Sequence, residues 1–305
     1  MKVLITGGTG YLGRGLLRRF HDSWDITVLS RDEYKQDLCR RRWPNVKYKL
    51  GDVTDPLNLS HVVRGHDLVI HTAAIKYIPE AEDNVEECIR VNVDGTRNVL
   101  TACEQHDVQV VCLSTDKATA PLNTYGLTKA LCERLVGSYA RRGVRCTAVR
   151  YGNVIGSTGS VIPLFYRQLE TQGYVTITDP YMTRFWISVD QAIDLIMEAA
   201  SNAKQGDVVI PKPASMSMQD LAGLITGHDE SKVKSVGIRP GEKRHEALLD
   251  HAESVRALDV GHYYYLKPVW TNSVFGEPFI LSSNTPPIIL QDKWMLEQIE
   301  LARTV

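Results

Sequence analysis

The apolar run Val3-Leu4-Ile5 passes through Thr6 into Gly7-Gly8-Thr9-Gly10-Tyr11-Leu12-Gly13 and then into a helical pattern. A strand that turns this abruptly into a helix needs residues without a Cβ at the turn, so the glycines commit the N-terminus to a strand–turn–helix unit. Backbone N–H groups at the helix N-terminus can then approach a pyrophosphate. Gly7, Thr9, Gly10, Tyr11, Leu12 and Gly13 are therefore the expected cradle of a dinucleotide.

The rest of the chain repeats this alternation. Apolar runs recur at 3–6, 26–29, 46–50, 68–71, 108–113 and 146–150, with helical patterns between most of them. This predicts an α/β fold whose parallel sheet is covered on both faces and binds ligands beyond the carboxyl ends of its strands. Residues 84–105 and 124–142 are the long predicted helices. Paired helices of this kind often form a dimer seam, which points to a homo-oligomer.

Glycines and a proline between 152 and 163 break the pattern. The expected division assigns 1–152 plus about 186–205 to the dinucleotide-binding domain, and about 153–185 plus 206–305 to a smaller α/β lobe.

Composition narrows the function classes. Lys plus Arg total 35 against 36 acidic residues, so bulk charge gives no reason to expect nucleic acid or a membrane surface as partner. Cys39, Cys88, Cys103, Cys112, Cys132 and Cys146 form no CxxC pair and sit mostly in apolar stretches, which fits a reducing cytoplasm. The first strand starts at once, leaving no room for a signal peptide, and no apolar run approaches membrane-spanning length. The histidines show no ligand spacing, so no metal is expected; His71 reads as structural.

The second strand ends in Ser30-Arg31-Asp32-Glu33-Tyr34-Lys35. An acid directly after this strand would hold the ribose hydroxyls of NAD. Here Ser30 and Arg31 come first, and with Lys35 they suit a 2′-phosphate, so NADP is expected, Asp32 leaving NAD open. Asp52, beside Val53 after the third strand, can accept from the adenine amino group or close an Asx-turn.

The densest chemistry lies in Ser114-Thr115-Asp116-Lys117-Ala118 and, a few residues on, Tyr125-Gly126-Leu127-Thr128-Lys129. Tyr125 and Lys129 share a helix face, where the ammonium can lower the phenol's proton affinity and make it a usable base. Asp116 and Lys117 add an acid and a second base, more than alcohol oxidation requires. Either alone would be an ordinary loop residue; together they suggest elimination.

With Thr6 to Gly13, His71-Thr72-Ala73-Ala74, Asn92 and the Tyr125/Lys129 pair, the chain resembles an extended short-chain dehydrogenase/reductase acting on nucleotide sugars. The segments 114–129, 150–163, 178–185 and Arg239-Pro-Gly-Glu-Lys243 resemble more narrowly the C5-inverting UDP-N-acetylglucosamine 4,6-dehydratases, over nearly the whole chain. Thr-Asp-Lys is the most specific motif, because retaining dehydratases carry Glu where Lys117 stands. Tyr11-Leu12 departs from the Ser-Phe usual in the family's glycine loop.

The resemblance implies a Rossmann-type doubly wound parallel sheet with a smaller C-terminal α/β substrate-binding lobe, a dimer or hexamer, and a role in bacterial surface-glycan pathways. It implies that Tyr125 and Lys129 serve oxidation at C4, that a neutral Lys117 near other cations removes H5, and that protonated Asp116 releases the 6-hydroxyl as water. Thr115 binds the 4-oxygen in this scheme. Ala73, Ala74 and Asn92 would belong to the cofactor site; Asn92, a poor helix former inside a helix, either interrupts it to hold a water near Lys129 or simply kinks it. Asn153, Arg184, Arg239 and Glu242 would hold the UDP moiety, Thr178 and Met182 its uridine pocket, and Lys76 can reach substrate or solvent. The rivals are a nucleotide-sugar 4-epimerase, which has no use for Lys117, and a non-catalytic dinucleotide sensor, which would not need Tyr125 and Lys129.

Overall fold

A computed structural model describes all residues except 287. Strand β1 (Lys2–Thr6) turns into α1 (Tyr11–Phe20), followed by β2 (Asp25–Ser30), α2 (Glu33–Arg42), β3 (Lys47–Leu50), α3 (Pro56–Val63) and β4 (Leu68–His71). Next come α4 (Ile78–Asp83), α5 (Val85–Cys88), a π-helical turn at Ile89–Asp94, α6 (Gly95–His106) and β5 (Gln109–Leu113). A 3-10 turn at Asp116–Ala118 precedes α7 (Thr124–Arg141), β6 (Cys146–Val149), β7 (Asn153–Val154), α8 (Val161–Gln172), β8 (Val175–Ile177), β9 (Thr183–Ile187) and α9 (Val189–Ser201). The remainder contains β10 (Val208–Pro211), β11 (Ala214–Ser217), α10 (Met218–Thr226), β12 (Val233–Ser235), β13 (Ala247–Leu249) and α11 (His251–Ser254). It closes with β14 (Ala257–Asp259), β15 (Tyr263–Leu266), β16 (Leu281–Ser282), β17 (Ile288–Ile289) and α12 (Asp292–Ala302).

Among the described residues, nine strands share one sheet in the order β14-β15-β10-β6-β5-β4-β1-β2-β3. Neighbours from β3 to β10 run parallel, and β15 and β14 add an antiparallel edge. Side chains alternate faces along each strand. Val110 and Cys112 therefore join the core layer containing Val99 and Leu100 of α6 and Val136 of α7. Val111 and Leu113 join the opposite layer, with Leu16 and Leu17 of α1 and Ile193 and Ile196 of α9. The α9 segment is set locally by a capping box in which Ser188 accepts from the Gln191 N–H and the Gln191 side chain accepts from Ser188, a device worth about 1 kcal/mol. Strand order reverses between β1 and β4, so the crevice beyond their carboxyl ends is the natural ligand position.

A third core cluster, including Phe165, Trp186, Met218, Leu221 and Met295, supports the smaller lobe. Its main sheet runs β17-β11-β9-β7. The expected division at residue 205 is corrected here. Strands β10, β14 and β15 hydrogen-bond into the large sheet, β10 directly onto β6. Short apolar strands read alike in sequence whichever sheet they join, and pairing partners decide.

The single helix expected over 84–105 is also corrected, since it is divided by the π-turn. There the buried Asn92 side chain pairs twice with the Ile75 backbone, accepting from its N–H at 2.8 Å and donating to its C=O at 2.9 Å. It also donates to Thr128 Oγ1 at 3.0 Å. These bonds reward a helix that bulges toward the loop after β4. All six cysteines are buried and unpaired. Among the described residues, no helix is long and apolar enough to cross a membrane.

Candidate active site

The proton-handling residues lie beyond the carboxyl end of β5. Thr115 opens the 3-10 turn, its hydroxyl accepting from the Lys117 N–H at 3.4 Å and donating to Asp116 Oδ1 at 3.0 Å. Lys117 Nζ donates to the same Asp116 oxygen at 3.0 Å. Helix α7 begins against this turn: a Cβ on Gly126 would lie 2.3 Å from the Lys117 carbonyl oxygen, so only glycine permits the approach that brings Tyr125 alongside. Asn123 caps α7 by accepting from the Gly126 N–H at 2.9 Å and donates to the Gly241 carbonyl at 3.1 Å. The Arg239–Lys243 segment is thereby held at the same helix end. Lys129, buried on α7, donates to the Leu113 carbonyl at 2.6 Å.

Electrostatics sort these groups. Burial raises the Asp116 carboxyl above the usual carboxylate range, and Lys117 offsets only part of this. One of its oxygens, Oδ2, is buried with no hydrogen-bond partner among the described residues. Burial also holds the Tyr125 phenol above its ordinary value despite opposition from Lys129, Lys117 and a hydrogen bond with Thr115. The expected lowering by Lys129 is real but outweighed.

Lys117 departs from expectation. Its neighbours are not cations alone: Nζ also lies 3.2 Å from Glu246 Oε1. Burial disfavours its ammonium form, but Asp116 and Glu246 raise its proton affinity above the usual lysine value. It therefore rests as an ammonium, not as the neutral amine expected from sequence. Glu246 escaped sequence reasoning, although an acid immediately before the apolar Ala247-Leu248-Leu249 was a signal that something buried must pair with it.

The glycine turn fits a dinucleotide. Gly7 adopts φ +71°, and a Cβ on Gly13 would sit 2.3 Å from the Gly8 carbonyl oxygen, so the loop stays flush against the helix start. Gly10 precedes α1 with no side-chain cap, leaving the first-turn donors for an anion. Thr9 is buried in this turn and its carbonyl accepts from Arg14 Nη1 at 2.9 Å. Leu12 packs into the core, and the Ala73 backbone crosses close to Gly7 with Ala74 following. His71 is clasped between Thr6 Oγ1 at 2.7 Å and Thr96 Oγ1 at 3.1 Å, and burial lowers it to about 3, so it is a neutral structural residue.

Several side chains assigned to the cofactor are otherwise engaged. Tyr11 is buried and its hydroxyl donates to the Ile155 carbonyl at 2.9 Å, tying the glycine turn to the second lobe. The Asn92 amide bonds to the Ile75 backbone and to Thr128 Oγ1. Val53 is buried against Gly95. Asp52 forms the Asx-turn, Oδ1 accepting from the Thr54 N–H at 2.9 Å. Against burial, that bond and Arg31 hold its carboxyl below the usual range.

Ser30 accepts from Gln36 Nε2 at 3.0 Å, while Lys35 pairs with Asp32 at 2.9 Å. Arg31 remains largely exposed, 3.3 Å from Asp52 and 3.8 Å from Glu87. With Lys76 and Tyr77 it lines a cavity of about 450 Å³. Lys76 therefore shares a cavity with Arg31, while its neighbour Tyr77 also lines the second cavity described next.

Those candidates converge. Asn153, Thr178, Met182, Arg184, Arg239 and Glu242 all line a second cavity of about 600 Å³. Met182 is buried, and its Sδ accepts from Thr178 Oγ1 at 3.3 Å and Arg184 Nη2 at 2.8 Å, so it supports the wall. Arg184 Nη2 lies 3.4 Å from Glu242. The same cavity is lined by Ser160 of the 150–163 segment and by Tyr77 and Arg167, which lie outside every motif. Arg167 adds a cation from α8.

The sequence profile of the polysaccharide biosynthesis protein family matches residues 3–268. The chain belongs to this family. The family member is 40% identical over 277 residues to a UDP-glucose 4-epimerase of Rickettsia bellii, covering 86% of this chain and 81% of the relative. It is 35% identical over 325 residues to the inverting UDP-N-acetylglucosamine 4,6-dehydratase of Campylobacter jejuni, covering 97% and 96%. The solved structure of Pen from Bacillus thuringiensis superposes with a TM-score of 0.90 at 31% identity, covering 100% of this chain and 98% of that one. The fold is that of an extended short-chain dehydrogenase/reductase, and the protein is an enzyme of the nucleotide-sugar dehydratase/epimerase kind.

Proposed function

We propose that this enzyme is a C5-inverting 4,6-dehydratase that converts UDP-N-acetylglucosamine to UDP-2-acetamido-2,6-dideoxy-β-L-arabino-hex-4-ulose. The observation that carries this reading is the buried Asp116–Lys117 pair beside Tyr125, an acid and a base where epimerisation would need neither. NADP held at the glycine turn would supply the hydride acceptor for C4 and the donor for C6. Tyr125 takes the proton of the 4-hydroxyl, its phenolate form favoured by Lys129 and Lys117 against burial, and Thr115 is placed to bind the 4-oxygen.

The resting ion pair explains how one turn supplies both remaining groups. A proton moving from Lys117 Nζ to Asp116 across their 3.0 Å contact gives a neutral amine and a carboxylic acid without net charge change. The amine removes H5, acidified by the C4 ketone, and the acid protonates the departing 6-hydroxyl, so water leaves and the ion pair is restored. Hydride returned to C6 would leave a C4–C5 enolate, and a solvent-derived proton reaching C5 on the face opposite Lys117 gives the inverted product. Arg184, Arg239 and Glu242 suit the diphosphate and ribose of a UDP-sugar.

The similarity to the Rickettsia bellii UDP-glucose 4-epimerase favours 4-epimerisation as the second reading. An NMR time course with UDP-N-acetylglucosamine in deuterated water separates the two. A 4-keto-6-deoxy product with deuterium at an inverted C5 is expected; a 4-epimer without solvent label would give the case to the epimerase.

NADP preference rests on Arg31, which faces open solvent beside the second strand. Arg31→Ala should weaken NADP binding about 10- to 100-fold, from loss of a charge-assisted contact worth about 1.5–3 kcal/mol, and leave NAD nearly unchanged. Equal loss for both cofactors, measured by titration, would remove the basis for NADP. Exposed Leu127 and Leu131 on α7, with Val85 and Ile89 beside the π-turn, support a homo-oligomer.

A further inference from the structure

Lys117 is held from two sides. Asp116 belongs to its own turn, but Glu246 arrives from the segment before β13, bringing Oε1 to 3.2 Å from Nζ. Glu246 is buried, 3% exposed, and its backbone is fixed by bonds in both directions with Ser283, N–H to Oγ at 3.0 Å and carbonyl to N–H at 2.8 Å. Its Oε2 is buried without a hydrogen bond among the described residues, with Lys243 Nζ 3.7 Å away. Lys243 is anchored in turn on the Thr119 carbonyl at 2.6 Å. A buried carboxylate so placed cannot turn to water, and its remaining negative charge is directed into the Asp116–Lys117 pair.

We infer that Glu246 is a positioning residue that orients the Lys117 ammonium toward Asp116 and fixes where their shared proton sits. The inference rests on the proposed reading only for its kinetic consequence. The pair is active with one shared proton; two protons block the base, and none leaves no acid. The charged groups facing Lys117 are Asp116 on its turn, Tyr125 on α7, Arg184 on β9, and Lys243 and Glu246 on the segment before β13. Of the carboxylates, Glu246 alone comes from outside the turn. Its charge favours the ammonium, so removing it moves both limbs of the pH profile to lower pH. The segment that carries it also carries Arg239 and Glu242 of the nucleotide cavity, linking substrate binding to the state of Lys117.

Glu246→Gln keeps shape and removes charge. Both limbs of kcat against pH, followed by C5 deuterium incorporation, should move down by about one to three pH units, the usual effect of one nearby charge. Glu246→Asp, with the charge withdrawn by one methylene, should move them less in the same direction, and it serves alone if the Gln variant does not fold. Binding of UDP should change less than threefold in either variant. Limbs superimposable on the wild type, even with lower kcat or Tm, would make Glu246 merely structural and overturn the inference. Titration of Lys117 by NMR of 15Nζ-labelled lysine, assigned with Lys117→Met, reads the same shift without catalysis. No C5 exchange in the wild type but a displaced Lys117 titration would reject the dehydratase and keep this inference; C5 exchange with an unmoved titration would do the reverse.

Discussion

Lys117→Ala is expected to slow C5 hydrogen exchange about 10²- to 10⁴-fold, the span that one positioned acid–base group contributes, while cofactor stays bound. The separation follows from the layout. The glycine turn after β1 and Lys117 after β5 lie on different loops, and no cofactor candidate bonds to the Lys117 side chain. Alanine leaves Asp116 and Glu246 as two buried carboxylates without their shared cation, so one of them will take a proton. Asp116, already raised by burial, is the acceptor.

Lys117→Arg sharpens the test. Its guanidinium can pair with both acids but cannot be deprotonated in this range. If Lys117 acts as the base, Arg should be as inactive as Ala in C5 exchange. If it acts only as a cation, Arg should recover most of the rate. Full exchange in Lys117→Ala would transfer the base role to another residue.

Features set by local spacing were legible in the chain. The glycine turn, the alternating strands and the face shared by Tyr125 and Lys129 depend on residues a few positions apart. The grouping around the second cavity was legible for a different reason: Asn153, Thr178, Met182, Arg184, Arg239 and Glu242 came from motifs carried by resemblance, and they converge on one space. What escaped is what long-range pairing decides. Glu246 lies far along the chain from Lys117, and only the packing of the segment before β13 onto the 3-10 turn joins them. The same contact reverses the expected charge state of Lys117, since a lysine's proton affinity is set by neighbours that sequence does not reveal. Tyr11 and Asn92 are related cases. Each occupies a position of the expected cofactor site, yet its polar atoms bond to the backbone of Ile155 or Ile75. Residues 208–211, 257–259 and 263–266 fell in the range expected for the smaller lobe, yet they pair into the large sheet, because a short apolar run names no partner.

Arg150→Met should produce the largest loss of stability, about 3–5 kcal/mol, the usual effect of leaving buried charges without their partner. Arg150, at the end of β6, is 1% exposed and meets two carboxylates at once. Its Nε lies 2.9 Å from Glu133 Oε1 on α7, and Nη1 lies 2.6 Å from Glu253 Oε2 on α11. Nη1 also donates to Thr119 Oγ1 at 2.8 Å and the Leu248 carbonyl at 2.9 Å. One guanidinium therefore ties α7, the chain after β13 and the residue following the Asp116–Ala118 turn. Methionine fills the volume but leaves both glutamates facing an apolar side chain. With about 2.1 cal/mol/K of unfolding entropy per residue, this chain loses about 1.6 °C per kcal/mol, so Tm should fall by about 5–8 °C.

Adding Glu133→Gln and Glu253→Gln removes the stranded charges, so the triple variant should regain more than half of the loss. A loss unchanged in the triple variant would show that packing, and not charge, is what Arg150 contributes. The network also supports the active turn through Thr119, whose carbonyl holds Lys243. The single variant should therefore lose activity faster than fold on heating, because the turn with Asp116 and Lys117 loses its support before the sheet opens.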